Sequence, residues 1–447
     1  MNNSSSAAPV SKKTINFSDA TFINDVAHFR NVLRQSIPHG VVAKVLLFEA
    51  DVYAFLTRLI ALGLEQHTVV LPPNDQLGTL NELAEHVDYC CGAVSVSGKT
   101  LLDEHASTVQ ATPQQTENAP LAWPTEGNIV FFTSGSSGKP KAIVKDWPLI
   151  NNELATLASL FEIQADSVFI STVSHQHIYG LLFRALLPLK LQCQVTNTIE
   201  YPEELASLIK QHQQVILVSS PAFLSRLKQD NVITDVANRL SYVFSSGGLL
   251  AIQDALTLHY QLGLAVTQVY GSTETGGIAY RQQSAPSDDL WQFFPGVSCQ
   301  VEPQSRRLIL NSPFIHQQHM PLDDTGQLID GKLKLLGRID RTIKLEEKRV
   351  NLTQMELCCK NHKWVTDIKL LVLEGKRTVL AAVVQLNAKG WQHLQQEGAR
   401  QVSQQLKIHL QQHFELVTIP RKWRYLTELP FNAQGKLPVK ELEKLFV

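Results

Sequence analysis

Asn128 to Lys141 read NIVFFTSGSSGKPK, an apolar and β-branched run that passes directly into glycine, hydroxyl and lysine residues. The run Asn128 to Phe132 predicts a strand, and the residues after it predict a tight loop at the strand's carboxyl end. Glycine lets backbone N–H groups come close, and with hydroxyls and mobile ammonium groups the loop suits a polyphosphate. It is not a P-loop, which needs a glycine five residues before Gly138-Lys139, where Thr133 stands. A strand ending in an anion-binding loop points to an α/β fold whose ligands sit at the carboxyl ends of parallel strands.

The same rhythm extends outward in both directions. Val41 to Phe48 predicts a strand, Asp51 caps a helix reaching Leu62, Gly63 stops it, and Thr68 to Leu71 predicts the next strand. Val168 to Thr172, Val215 to Val218 and Tyr242 to Phe244 read as further strands, with Pro202 to Gln211 a helix among them. Ala106 to Pro124 is rich in threonine, glutamine and proline and reads as an exposed connection. No internal repeat interrupts this. After Arg338 the pattern changes: strands Ile368 to Leu373 and Thr378 to Gln385 flank the turn-like Glu374 to Arg377. A helix over Val402 to Phe414 then aligns Val402, Leu406, Leu410 and Phe414. This predicts a small α+β unit behind a larger, mostly parallel α/β unit.

The bulk composition excludes several classes. With 447 residues the chain has room for two or more units with ample core. Lysine and arginine number 40 against 41 acidic residues, so the net charge of -1 supplies no field for nucleic acid or an anionic membrane. The cysteines fall as Cys90-Cys91, Cys358-Cys359, Cys193 and Cys299, with neither CxxC nor zinc-ligand spacing. Adjacent cysteines bridge each other only with strain, so all six are expected to be structural thiols in a reducing compartment. MNNSSSAAPVSKK lacks the apolar stretch of a secretion signal, and no apolar run approaches the roughly 20 residues of a membrane span. A cytoplasmic protein with no membrane span is the expectation.

Five further segments carry chemistry in chain order. His177 to Gly180 read HIYG, Ser245 to Gly248 read SSGG, and Val269 to Glu274 read VYGSTE. Asp330 to Arg349 read DGKLKLLGRIDRTIKLEEKR, and Pro430 to Lys440 read PFNAQGKLPVK. Singly, these are as readily an ordinary turn, a core histidine, a charged strand pair and a solvated lysine. Together with FFTSGSSGKPKA they resemble, in order and from about Val41 to the end, the adenylate-forming superfamily of acyl-CoA synthetases, adenylation domains and luciferases. The resemblance implies a large multi-subdomain N-terminal domain with mostly parallel sheets over residues 1–338. It also implies a small, mobile α+β lid domain over 339–447.

The resemblance also implies roles. Thr133, Ser134, Gly135, Ser136, Ser137, Gly138, Lys139 and Lys141 would hold the phosphates of ATP, with Thr133 also counted as catalytic. Tyr270 would stack on adenine beside Gly271 and Ser272, Thr273 would meet the phosphate, and Glu274 would hold magnesium, a hard cation that prefers carboxylate oxygen. Gly247 and Gly248 would let adenine and the acyl group approach the backbone, and His177 and Gly180 would wall the carboxylate pocket. Counting back from Asp330-Gly331 puts Asp323 at the ribose-binding aspartate, with Asp324 next to it, while Arg338 would contact ribose or phosphate. Asp340 would be the hinge. Lys436 would bridge the substrate carboxylate and the α-phosphate and offset their repulsion as charge develops.

The implied reaction activates a small carboxylic acid, aryl or acyl, as acyl-AMP and passes it to the phosphopantetheine thiol of a carrier protein or of coenzyme A. An acyl carrier protein is thus a candidate partner. The pattern departs at Ala142 and Glu347, where the family has glycine, and at Pro321-Leu322, which replace threonine and glycine. Glu347 near the thiol's path favours a carrier protein over coenzyme A, whose nucleotide phosphates it would repel. The rival readings are a phosphotransferase and a non-catalytic nucleotide-binding protein.

Overall fold

The computed structural model describes residues 15, 20–102, 121–134, 140–199, 201–227, 231–338, 342–345, 348–374, 378–430 and 439–446. A first sheet contains β1 (Lys44–Phe48), β2 (Thr68–Leu71), β3 (Tyr89–Gly92), β4 (Thr100–Leu102), β5 (Asn128–Ser134) and β6 (Pro140–Asp146), in the order β4-β3-β1-β2-β5-β6. The first five strands are parallel and β6 returns antiparallel against β5. Runs such as Val45-Leu46-Leu47 and Val69-Val70-Leu71 are buried side by side rather than alternately, as a sheet covered on both faces requires.

Asp51 caps the helix Val52–Leu64, its Oδ1 accepting the Ala54 N–H at 2.9 Å. The expected stop at Gly63 is corrected: the helix runs through it, and the reversal falls at Gln66, with φ 59°. Gly63 is small for a packing reason, since a Cβ there would stand 2.8 Å from Pro124 Cγ and Trp147 Nε1.

The second sheet joins β7 (Val168–Ser171), β8 (Gln194–Val195), β9 (Val215–Ser219), β10 (Leu240–Ser245), β11 (Thr267–Ser272), β12 (Gly276–Gln282) and β13 (Gln292–Phe293), in the order β13-β12-β11-β10-β9-β7-β8. Strands β7 to β11 are parallel, and β12 and β13 are added antiparallel. One apolar core runs between the two sheets, holding Leu47, Val69, Ile129 and Phe131 from the first and Phe169, Val218, Phe244 and Val269 from the second. An antiparallel meander follows: β14 (Ser298–Val301), β15 (Arg307–Asn311), β16 (Met320–Ile329) and β17 (Lys332–Arg338).

The remainder forms the hairpin β18 (Thr342–Leu345) and β19 (Lys348–Asn351), then a sheet of β20 (Val365–Leu373), β21 (Val379–Leu386) and β22 (Lys422–Leu426). Its core is its own: Met355, Ile368, Leu380, Val384, Val402, Leu406 and Leu410 cluster on one face, and Leu371, Val383, Leu429 and Leu442 on the other. The helix expected over Val402 to Phe414 starts earlier and stops earlier, Ala388–Gln411, leaving Phe414 beyond its end; it is capped by Asn387 and broken in conformation at Gly398, φ 81°. Its first half is polar on most faces, so no apolar stripe marks its start. The fold is thus mixed α/β with parallel sheets and a smaller α+β unit. Among the described residues no helix is long and apolar enough to cross a membrane.

Candidate active site

The carboxyl ends of both parallel sheets open on one cavity of about 270 Å³. Leu71, Phe131 and Phe132 line it from β2 and β5, and Ser246, Gly247, Val269, Gly271, Ser272 and Thr273 from the ends of β10 and β11. The turn after β11 is braced by short bonds: Ser272 N–H donates to Thr275 Oγ1 at 3.0 Å, and Thr275 N–H to Ser272 Oγ at 3.3 Å. Glycine is obligatory at 271, where a Cβ would stand 2.3 Å from the Gly276 carbonyl oxygen. Ser246 Oγ donates to the Val269 carbonyl at 2.9 Å and ties the ends of β10 and β11 together, while Gly247 takes φ 90°, a region other residues rarely enter.

His177 lines the cavity and precedes a short helical turn at Ile178–Gly180. Lys348 of β19 brings Nζ to 3.0 Å from His177 Nε2, so the histidine accepts there and is neutral. Burial first, and the Lys348 charge second, depress its pKa to about 3. Lys348 also pairs with Glu415 Oε1 at 3.1 Å. Lys344, Val350, Gln354, His413 and Phe414 complete this wall, which comes from the smaller unit.

Of the residues singled out in the sequence, Gly247, Gly271, Ser272, Thr273 and His177 are brought together on this cavity. Tyr270 packs against Trp291 with ring centroids 5.8 Å apart. Gly180 is small because a Cβ would stand 2.0 Å from the Ser174 carbonyl oxygen. Lys141 is exposed on β6 opposite Thr133, the Ser134 backbone pairs with Pro140, and Gly248 follows Gly247 in the turn after β10. Asp323 is held by Arg307 Nη2 at 3.1 Å, and its neighbour Asp324 stands opposite Arg338 in the β16–β17 register. Gly135, Ser136, Ser137, Gly138, Lys139, Asp340, Glu347 and Lys436 lie outside the described residues.

One residue that lines the cavity and one that braces its backbone were missed by the motifs. Lys145, buried on β6, donates from Nζ to the carbonyl oxygens of Glu274 at 2.9 Å and Phe314 at 2.8 Å, fixing the backbone where the VYGSTE turn ends. Glu153, on the helix Trp147–Leu160, lines the cavity and accepts the Gly277 N–H at 2.6 Å. Burial depresses the Lys145 ammonium, while Glu153 is pushed up to about 7 by burial against the pull of Lys145 and the Gly277 N–H. Ile143 and Lys145 are buried on β6 while Ala142 before them and Val144 between them are exposed, and that alternation is the signal that could have revealed the lysine.

A fold of this kind, with the cavity at the strand ends, defines a nucleotide-binding α/β enzyme. The family model described as AMP-binding enzyme matches residues 48–304, more than half of the chain, and the chain belongs to that family, within the adenylate-forming superfamily. It is 27% identical over 322 residues to a 4-coumarate–CoA ligase of Halorhodospira halophila, covering 69% of this chain and 74% of that one. A 3,4-dihydroxybenzoate–(aryl-carrier protein) ligase of Bacillus anthracis is 22% identical over 325 residues, covering 71% and 74%. The structure of an amide bond synthetase from Marinactinospora thermotolerans superposes with a TM-score of 0.75 at 18% identity, over 95% of this chain and 94% of that one.

Proposed function

We propose that the protein is an acid–thiol ligase that activates a small carboxylic acid with ATP as acyl-AMP, releases pyrophosphate, and transfers the acyl group to a phosphopantetheine thiol. The observation that carries this is the cavity itself, where the turns Ser246-Gly247 and Gly271 to Thr273 face an apolar pocket and the hairpin β18–β19 reaches in beside His177. Polar backbone at one end suits a nucleotide, and apolar walls at the other suit an acid.

In this reading the segment Thr133 to Lys141, which joins the paired ends of β5 and β6, holds the phosphates, Asp323 or the adjacent Asp324 the ribose with Arg338, and Lys436 the reacting carboxylate. Residues 1–338 act as the adenylating domain and 339–447 as a lid turning about Asp340, which exchanges Lys436 for the β18–β19 surface between the two half-reactions. Neutral His177 can donate only from Nδ1 while Lys348 occupies Nε2. Glu274 is a fitting ligand for magnesium, which takes one or two carboxylates together with substrate phosphates. Among the described residues no cluster of three or more acidic, histidine or cysteine side chains offers a cage of its own. Bound there, magnesium would neutralise charge on the departing pyrophosphate.

The acceptor is a carrier protein or coenzyme A. Lys344 and Lys348 on the cavity wall offer positive charge to the phosphate that both acceptors carry. The relatives include ligases of both kinds. Acid-dependent exchange of pyrophosphate into ATP tests the first half-reaction. The expected result is exchange in the wild-type protein and its loss, by about a hundredfold or more, in Lys436→Ala. Formation of ADP instead of pyrophosphate, or exchange without any acid, would refute the proposal.

A further inference from the structure

Four consecutive residues of the smaller unit lie at its junction with the larger one. Gln412, which ends the helix Ala388–Gln411, turns its carbonyl oxygen onto Gly78 of the helix Leu77–Leu83. His413 Nδ1 stands 2.8 Å from Glu82 Oε1 on that same helix, Phe414 lines the cavity, and Glu415 Oε1 holds Lys348 Nζ at 3.1 Å. Lys348 in turn reaches His177 Nε2 at 3.0 Å. The run Gln412 to Glu415 thus fastens the smaller unit to a cavity rim that Thr79, Glu82 and Leu83 form on the other side. Neither Gly78 nor this run belongs to any of the sequence motifs.

Gly78 has no conformational reason to be glycine. It sits within a helix and its φ lies outside the left-handed region, so alanine would suit that backbone better. The obstacle is the other unit. A Cβ at position 78 would stand 2.0 Å from the Gln412 carbonyl oxygen, 3.0 Å from its carbonyl carbon and 3.7 Å from its Cα, and no heavy atom outside Gly78's own helix and chain neighbours comes closer. Ordinary contact begins near 3.4 Å, so a methyl group there would drive the run back by about 1.4 Å. The contact is with backbone, which cannot swing aside as the end of a flexible side chain does. A retreat of that size is also enough to take a hydrogen bond of about 3 Å beyond the limit near about 3.5 Å.

We propose that Gly78 is a positioning residue for acyl transfer: by admitting the carbonyl of Gln412 it lets the run Gln412 to Glu415 seat the hairpin β18–β19 against the cavity. This rests on reading residues 339–447 as a lid that exchanges Lys436 for the β18–β19 surface between the half-reactions. The placement with Lys348 beside His177 is then the one that serves transfer, and the Gly78 contact belongs to that placement alone. A side chain at position 78 weighs against one placement without touching the groups that adenylate, so it shifts the balance between the two. Overpacking against backbone is worth about a five- to hundredfold change in that balance.

The test uses the full chain, with fluorophores on unnatural amino acids at Tyr260 and Gln396, exposed residues of the larger and the smaller unit, so that single-molecule energy transfer reads the placement without any substrate. Gly78→Ala should move the population away from the wild-type distance, and Gly78→Leu should move it further. Glu82→Lys should act in the same direction by opposing His413, and adding His413→Glu should restore the wild-type distribution. In parallel, acid-dependent pyrophosphate exchange reads adenylation, and thioester formation from preformed 4-coumaroyl-AMP and 3,4-dihydroxybenzoyl-AMP with coenzyme A or pantetheine reads transfer. In Gly78→Ala transfer should fall by about fivefold or more while exchange stays within about twofold. An unchanged distance distribution in the Gly78 variants, or a loss of exchange as large as the loss of transfer, would overturn the inference. A shifted placement in a protein that shows no exchange with any acid keeps the seating role of Gly78 and removes the ligase function, whereas exchange with an unshifted placement does the reverse.

Discussion

Replacing Glu153 by glutamine should make the protein more stable at neutral pH and leave it little changed in acid. The carboxyl is buried, and its pKa rises from 4.5 to about 7 despite the attraction of Lys145 and the Gly277 N–H. A raised carboxyl pKa means that between those values the folded state binds more protons than the unfolded state, so stability falls as pH rises through the window. At about 1.4 kcal/mol per unit the full effect is about 3 kcal/mol, complete above pH 7 and absent below pH 4.5. Glutamine presents the same shape, carries no charge and keeps an oxygen for Gly277, so it removes the penalty without opening a cavity. Urea denaturation at pH 5, 6, 7 and 8, followed by tryptophan fluorescence, reads the difference, and Trp147 on the same helix is fully buried. The stability of the variant relative to wild type should climb from pH 5 to about pH 7 and level off by pH 8. A difference constant to within about 0.5 kcal/mol would show that the carboxyl is ionised throughout, and the account of its burial would fail.

Lys145→Met should cost about 2–5 kcal/mol, because the buried carbonyls of Glu274 and Phe314 lose their shared donor and Glu153 loses its nearby positive charge. Combining it with Glu153→Gln should cost less than the sum of the two, and strict additivity in a double-mutant cycle would argue that the two side chains do not act on each other. Gly271→Ala should destabilise by about 1–3 kcal/mol and weaken nucleotide binding, since its Cβ would press on the Gly276 carbonyl; unchanged melting and unchanged titration with ATP would contradict the tight turn.

The strand-to-loop passage at Asn128 to Lys141, the βαβ rhythm and the order of the later motifs were legible in the chain itself, because each is a matter of near neighbours. Strand periodicity, a capping aspartate such as Asp51 and a glycine forced by a turn such as Gly271 all act over a few residues. What those local signals did not carry was the reason for Gly63, which is small to admit Pro124 and Trp147 rather than to end a helix. Nor did they carry the polar first half of the helix Ala388–Gln411, held by its Asn387 cap. Glu153, which lines the cavity, and Lys145, which braces the turn after β11, were missed by the motifs for the same reason. Lys145 meets its carbonyl 129 positions along the chain and Glu153 its amide 124 positions along, so only tertiary packing brings them out of water and against those partners. A charge on an amphipathic strand or helix reads as surface in sequence. Whether it is solvated or desolvated is settled by elements that arrive from elsewhere in the chain, and that difference decides its pKa and its chemistry.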